Sequence, residues 1–108
     1  MKIEASIKNI VDNVFARKGL TLDSVFLFGS MARSDSGEES DYDILIISKE
    51  ELSSKEKMNL AIEISKALHE EIKSTPFDII IKSKRDFDEE KDIVNTLSNE
   101  VILEGIKL

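Results

Sequence analysis

The stretch "FLFGSMARSDSGEESDYDILII", residues 26–47, contains two short apolar runs separated by a polar loop. A Gly-Ser pair ends the first run, and an Asp-Tyr-Asp triplet opens the second. Runs rich in β-branched and aromatic residues are typical of buried strands. Because successive side chains of a strand point to opposite faces, Asp41 and Asp43 are predicted to share one face, with Tyr42 on the other. The stretch therefore predicts two core strands, with two carboxylates where the second begins.

Helix and strand patterns flank this stretch on both sides. Before it, apolar residues at three- and four-residue spacing predict a helix that ends near Gly19. After it, the capping-box pair Ser53 and Glu56 predicts the start of a second helix. Pro76 cannot continue that helix, and residues 77–81 predict a third strand.

A last helix is predicted from residue 86, where acidic residues favour a helix N-terminus, to a stop at Gly105. Its predicted apolar face comprises Ile93, Val94, Leu97 and Val101. The resulting order, α-β-β-α-β-α, indicates an α+β fold in which helices pack on a small mixed β-sheet. At 108 residues, the chain is expected to form a single domain spanning residues 1–108.

Composition argues against several classes of protein. The net charge of −7 argues against direct binding to the nucleic-acid backbone. The absence of cysteine excludes disulfides and thiolate metal sites, and fits a reducing compartment. The segment "MKIEASIKNI" lacks the apolar core of a signal peptide, and no apolar run reaches the roughly 18 residues of a membrane span. These features predict a cytoplasmic protein without a membrane segment.

Three carboxylates are predicted to converge if the second and third strands are neighbours in suitable register. Asp78 lies in the apolar third strand, where an uncompensated charge is costly. Beside Asp41 and Asp43 its carboxylate would be repelled, and bound cations would relieve that repulsion. Oxygen donors without His or Cys suit Mg²⁺ or Mn²⁺. Two such ions can stabilise the attacking and leaving oxygens of a phosphoryl transfer.

The Gly-Ser pair is a candidate phosphate site. Gly29 permits close backbone approach, and the amides that follow it would begin a helical turn, where N–H groups attract phosphate oxygens. Ser30 adds a hydroxyl donor. Arg33 would reach a phosphate if the turn is helical, and would otherwise be a solvent-exposed arginine. Each residue alone has an ordinary structural interpretation, but the combination favours a metal–nucleotide site.

The stretch "GSMARSDSGEESDYD" resembles the Gly-Ser-x10-Asp-x-Asp signature of the DNA polymerase beta-like nucleotidyltransferases. The spacing from Gly29 and Ser30 to Asp41 and Asp43 matches that signature. "GSMAR" is similar to the form common in the minimal nucleotidyltransferases, the small prokaryotic members. "PFDIII" resembles the strand that carries their third carboxylate, and "EVILEGIKL" resembles their C-terminal ending. The resemblance covers nearly the whole chain.

Two features depart from the family pattern. Ser34 stands where many members have a glycine, and the loop after it is unusually acidic. The chain also lacks the C-terminal helical domain with which larger relatives bind their acceptors. Neither Ser34 nor the acidic loop removes a required ligand. The absence of a helical domain within these 108 residues leaves the acceptor unidentified.

The resemblance implies a polymerase beta-like fold and a role for each motif residue. Gly29 and Ser30, together with Arg33, would bind the triphosphate of a nucleotide, for which ATP is the expected substrate. An acceptor hydroxyl would then attack the α-phosphorus and release pyrophosphate.

The carboxylates are implied to be both catalytic and metal-binding. Asp41 and Asp43 would bind two divalent ions, Mg²⁺ or alternatively Mn²⁺. Asp78 would complete the second metal site and help to activate the acceptor hydroxyl.

Small relatives of this kind resemble the antitoxins of toxin–antitoxin pairs, whose partner is a helical HEPN-type ribonuclease silenced by transfer of AMP to a tyrosine. The resemblance thus implies Mg-dependent transfer of AMP to a partner protein. Two alternatives stay open: a module that neutralises its partner by contact, masking a basic face with its acidic surface, and a subunit of a split antibiotic-modifying transferase. Self-association and the number of groups transferred also stay open.

Overall fold

A computed structural model describes residues 2–29, 42–73 and 75–108 of the chain. Its helices are α1 (Lys2–Arg17), α2 (Ser54–Glu71), α3 (Lys84–Glu90) and α4 (Leu97–Glu104). Its strands are β1 (Leu22–Phe28), β2 (Tyr42–Ser48), β3 (Phe77–Ser83) and β4 (Ile106–Lys107). Within these ranges no helix has the length and apolarity to cross a membrane.

The strands form one mixed sheet in the order β3-β2-β1-β4. β2 and β3 run parallel and are connected through α2, whereas β1 is antiparallel to both β2 and β4. Helices α1 and α2 cover one face of the sheet, and α3 and α4 cover the other. The predicted α+β class with a small mixed sheet is confirmed.

Alternation along β2 divides the apolar core between the two faces. Ile44 and Ile46 pack in the core formed with α1 and α2. Leu45 and Ile47 pack in the core formed with α3 and α4. All four side chains are fully buried, and each contributes about 1.5–3 kcal/mol on removal from water. β2 is therefore the central element of the fold.

The predicted capping box at the start of α2 is confirmed. The Ser53 hydroxyl accepts a hydrogen bond from the Glu56 backbone N–H at 3.1 Å, and the Ser53 N–H donates to the Glu56 carboxylate at 2.8 Å. The predicted end of α1 is also confirmed, since Gly19 follows it with φ +69°. A positive φ at this position favours glycine.

The prediction of one long last helix is wrong. The segment forms two helices, because α3 ends at Glu90 and α4 begins at Leu97. Of the predicted apolar face, Val101 is buried and Leu97 packs against the core. Ile93 and Val94 lie between the helices and are 54% and 74% exposed.

The side chain of Thr96 explains the interruption. Its hydroxyl donates to the carbonyls of Glu90 and Ile93, at 2.9 and 2.8 Å, and accepts from the Asn99 backbone N–H at 3.1 Å. Thr96 is thus the N-cap of α4, and Asn95 before it takes a left-handed conformation with φ +73°. Such side chain to backbone bonds compete with a continuous helix.

Glu90 joins β3 to α4 and makes stability sensitive to acid. Its carboxylate accepts from Lys82 Nζ at 2.9 Å and from the Ser98 hydroxyl at 3.0 Å. The hydrogen bond from Lys82, with that from Ser98, lowers the pKa of Glu90 below 4.5 in spite of partial burial. The pKa of Glu90 is lowered only in the folded protein. This stabilisation is therefore fully present above about pH 4.5, and it is lost as the pH falls through the pKa of Glu90 in the folded state.

We therefore expect Glu90→Gln to be less stable than wild type near neutral pH and to approach wild-type stability in acid. Urea unfolding followed by circular dichroism, from about pH 7 to about pH 3, measures the difference. Glu104→Gln is the control, because Glu104 makes no ion pair with any residue in the described ranges. An unchanged gap between Glu90→Gln and wild type across this range would contradict the assignment.

Candidate functional site

One row of residues crosses the sheet at the edge where β1 ends and where β2 and β3 begin. Phe28 pairs with Asp43 in the antiparallel ladder, and Asp43 pairs with Asp78 in the parallel ladder. Neighbouring strands lie about 4.8 Å apart. The register therefore makes Asp43 and Asp78 direct neighbours, as the convergence of carboxylates requires.

Both carboxylates lie on the face of the sheet that α3 and α4 cover. Asp43 alternates with Tyr42, and shares its face with Leu45. Asp78 shares its face with Ile80, which packs against the same core. Tyr42 packs on the opposite face, as predicted. Asp43 is half-buried and Asp78 is exposed, so the pair opens to solvent at the sheet edge.

The backbone of Gly29 lies directly against the carboxylate of Asp43. Gly29 has φ +75°, and a Cβ at this position would overlap Oδ2 of Asp43 and lie 3.3 Å from its Cγ. Both the conformation and the close approach require glycine. The first residue of the Gly-Ser pair and the second aspartate of the triplet thus belong to one site.

Three of the predicted site residues lie outside the described residues. These are Ser30, Arg33 and Asp41, which fall within residues 30–41. Their predicted roles in binding phosphate and metal stay predictions, as do the roles of the other site residues.

The carboxylates of Asp43 and Asp78 have the donor chemistry that a hard divalent cation needs. Two carboxylates are fewer than the three of the predicted site. Asp43 and Asp78 offer only oxygen donors, which Mg²⁺ and Mn²⁺ prefer. Across the described ranges, no cluster of three or more His, Cys, Asp or Glu residues could hold a metal ion. The predicted site depends on Asp41 for its third carboxylate.

The basic residues at the end of β3 and the start of α3 form ion pairs with acidic residues of α3. Lys82 binds Glu90, Lys84 Nζ lies 3.1 Å from Asp88, and Arg85 Nε lies 3.5 Å from Glu89. The Lys84 hydrogen bond is the main cause that lowers the pKa of Asp88 below 3.8. Lys82 thus links β3 to α3, whereas Lys84 and Arg85 pair with residues of their own helix.

Sequence reasoning missed that the C-terminal segment reaches the same sheet edge. Ile106 pairs with Leu27, and continuing that antiparallel register brings Gly105 beside Phe28. A Cβ at Gly105 would lie 2.6 Å from the Val101 carbonyl oxygen and 3.3 Å from that of Leu27. The available signal was weak: a glycine followed by "IKL", too short to show alternation.

Comparison with known proteins gives one family match that covers most of the chain. The model of the family described as "Polymerase beta, Nucleotidyltransferase" matches residues 8–106. A candidate protein adenylyltransferase of Methanocaldococcus jannaschii is 56% identical over 39 residues, which are 36% of this chain and 39% of that relative. The match thus spans about two fifths of the relative's length.

Solved structures share the fold at low identity. A candidate nucleotidyltransferase from Sulfolobus solfataricus is 24% identical with a TM-score of 0.62, covering 98% of this chain and 76% of the other. A chain from the complex of tri-AMPylated Shewanella oneidensis HEPN toxin with MNT antitoxin is 18% identical with a TM-score of 0.52. That match covers 94% of this chain and 70% of the other. At these identities the likeness is one of fold.

Proposed function

Because this chain belongs to the polymerase beta nucleotidyltransferase family, we propose that it transfers AMP from ATP to a hydroxyl group on a partner protein. The family confirms the predicted enzyme class, a nucleotidyltransferase. The observation that carries the proposal is the pairing of Asp43 with Asp78, with Gly29 packed against Asp43. This arrangement joins a carboxylate pair to a glycine turn at one solvent-open edge.

In the proposed site, Asp43 and Asp78 would hold divalent cations together with Asp41. Mg²⁺ is the expected ion, with Mn²⁺ as the alternative, and the bound metal would neutralise charge on the triphosphate and polarise the acceptor hydroxyl. The oxygen-only donor set supports this assignment. Asp78, which is exposed, would also orient the acceptor hydroxyl and accept its proton as a general base.

The glycine turn binds the other reactant. Gly29 brings the backbone close to Asp43. Ser30 and Arg33 would contact the phosphates. The acceptor oxygen attacks the α-phosphorus of ATP in line, its bond to phosphorus forms, and the bond to pyrophosphate breaks. Positioning of the two reactants supplies much of the acceleration.

We propose that the acceptor is a small helical HEPN-type protein and that this chain acts as its antitoxin in the cytoplasm. The proposal is supported by the fold shared with the Shewanella oneidensis toxin–antitoxin complex, in which the toxin is AMPylated. The short match to a candidate protein adenylyltransferase also supports a protein acceptor.

A mass measurement tests the proposal. The purified protein is incubated with Mg-ATP and the helical protein encoded by the neighbouring reading frame, and the intact mass of that partner is measured. We expect an increase by one or more AMP units, because the attacked α-phosphorus carries the adenosine. EDTA, or an ATP analogue with a non-cleavable α–β bond, should prevent the increase. A partner of unchanged mass under the complete conditions would contradict the proposed function.

A further inference from the structure

Exposed apolar side chains are concentrated at the α4 side of the molecule. Among the described residues, five of the seven exposed large apolar side chains fall within residues 93–106. They are Ile93, Val94, Ile102, Leu103 and Ile106, which we call the α4 patch. Val94 and Leu103 are 74% and 73% exposed and line one groove. Apolar side chains that share a groove, as Val94 and Leu103 do, mark interaction surfaces more often than scattered ones do.

The same groove is acidic. Glu100 and Glu104, one helical turn apart on α4, line it with Leu97, and no lysine or arginine does. Neither carboxylate forms an ion pair with a cation of the described segments. A segment that fills the groove would therefore be favoured if it carried cations beside apolar side chains.

The α4 patch adjoins the candidate site. α4 ends at Glu104, and Gly105 lies beside Phe28 in the row that continues to Asp43 and Asp78. Three strand spacings of about 4.8 Å separate Gly105 from Asp78, or about 14 Å in all. α4 also covers the face of the sheet on which both carboxylates lie. In a protein bound to the patch, a hydroxyl group only a few residues from the docked segment could therefore reach the carboxylates of Asp43 and Asp78.

We propose that the α4 patch docks a basic amphipathic helix of the acceptor protein. Apolar side chains of that helix fill the groove between Val94 and Leu103, and its lysine or arginine residues pair with Glu100 and Glu104. A peptide can bind either as a strand added to a sheet edge or as a helix in a groove. Because β4 has only two residues, too few to pair with an added strand, we assign the helical mode. This inference rests on the proposed function and assigns the surface by which the acceptor is recognised.

The probe is a fluorescent peptide of about 20 residues, designed as an amphipathic helix with leucines on one face and lysines on the other. It contains no hydroxyl side chain, so its binding does not depend on transfer of a nucleotide. Fluorescence anisotropy measures its Kd. We expect Leu103→Asp to weaken binding by about 10-fold or more, since it removes an apolar contact and places a charge against the leucine face of the peptide. We expect the same from the double variant Glu100→Lys/Glu104→Lys, which reverses the charge that the lysines meet.

Two control variants carry the same kinds of substitution outside the α4 patch. Ile62→Asp places the same charge in the exposed groove formed by Met58, Ile62, Phe77 and Ile79, and should bind the peptide as wild type does. Glu70→Lys/Glu71→Lys makes the same change in net charge on α2, and should also bind as wild type. Circular dichroism establishes that each variant is folded. Because Glu100 and Glu104 are exposed, the charge reversal tests the proposal even if Leu103→Asp unfolds.

Several outcomes would overturn the docking surface. They are absence of peptide binding, equal weakening by the controls, and unchanged binding by the charge reversal. A wild-type dimer in sedimentation that Leu103→Asp dissociates would also overturn it, since a second copy would then cover the patch. Asp78→Asn should bind the peptide normally, so failure of transfer and failure of docking are separate results.

Discussion

Asp43→Asn and Asp78→Asn are each expected to lower the rate of AMP transfer by about 100-fold or more while the protein stays folded. The two carboxylates are paired in register at a solvent-open edge, and both are assigned to hold cations. An amide keeps the size of the side chain but removes its negative charge. The substitutions should therefore lower the transfer rate. The melting temperature should change little for Asp78→Asn, because Asp78 is exposed. Single-turnover mass spectrometry on the partner protein measures the rate.

Asp12→Asn is the matched control, since Asp12 is a partly exposed carboxylate on α1 that pairs with Lys8 at 3.0 Å. Its loss should leave transfer unchanged. The double variant Asp41→Asn/Asp43→Asn separates the two functions that the sequence leaves open. If that variant neutralises the partner as well as wild type does, the protein acts by contact and catalysis is not its role.

Gly29→Ala is expected to abolish most transfer as well as to destabilise the fold. The left-handed conformation costs a non-glycine residue about 1–2 kcal/mol. The new Cβ would also overlap the Asp43 carboxylate, which must move. A displacement of about 1 Å at a reacting site can lower a rate by about 100-fold. Thermal unfolding and the transfer rate together measure the two effects.

Gly19→Ala is an unusually close control for this change. Gly19 has φ +69°, near the +75° of Gly29, but a Cβ at Gly19 would meet no atom within 4 Å. Both alanine variants should therefore lose the backbone contribution of about 1–2 kcal/mol, and each kcal/mol lowers Tm by about 4–8 °C in a domain of this size. Gly29→Ala should lose more, because its Cβ also overlaps the Asp43 carboxylate. Only Gly29→Ala should lose transfer. Equal transfer by the two variants would show that the contact with Asp43 is unimportant.

The sequence was sufficient to predict the elements around the site because alternation along a strand is a local property. Asp43 was predicted to lie on the face opposite Tyr42 from side-chain order alone, and Tyr42 packs in the core formed with α1 and α2. The pairing of Asp43 with Asp78 was conditional, because register depends on contacts between distant segments. The contact of Gly29 with Asp43 has the same origin, and spacing along the chain does not reveal it.

The C-terminal region was harder to predict because its signals compete. Ile93 and Val94 continue a helical pattern, yet the Thr96 hydroxyl bonds to the Glu90 carbonyl and caps a new helix. A threonine favours the N-cap but is tolerated in a helix interior, so the spacing of apolar residues alone did not reveal the break. The pairing of β4 with β1 involves only two residues, which is too short a run to show strand periodicity.

The central place of β2 has a consequence for how the protein can evolve. Residues 44–47 are completely inaccessible to water and follow directly on Asp43, so this strand should open only when the whole protein unfolds. The carboxylate of Asp43 thus adjoins a segment whose backbone amides we expect to exchange slowly with solvent. α4, by contrast, places only Ser98 and Val101 in the interior. Residues on its outer surface can be substituted without disturbing β2. Substitutions that change the partner protein therefore need not reduce the transfer activity.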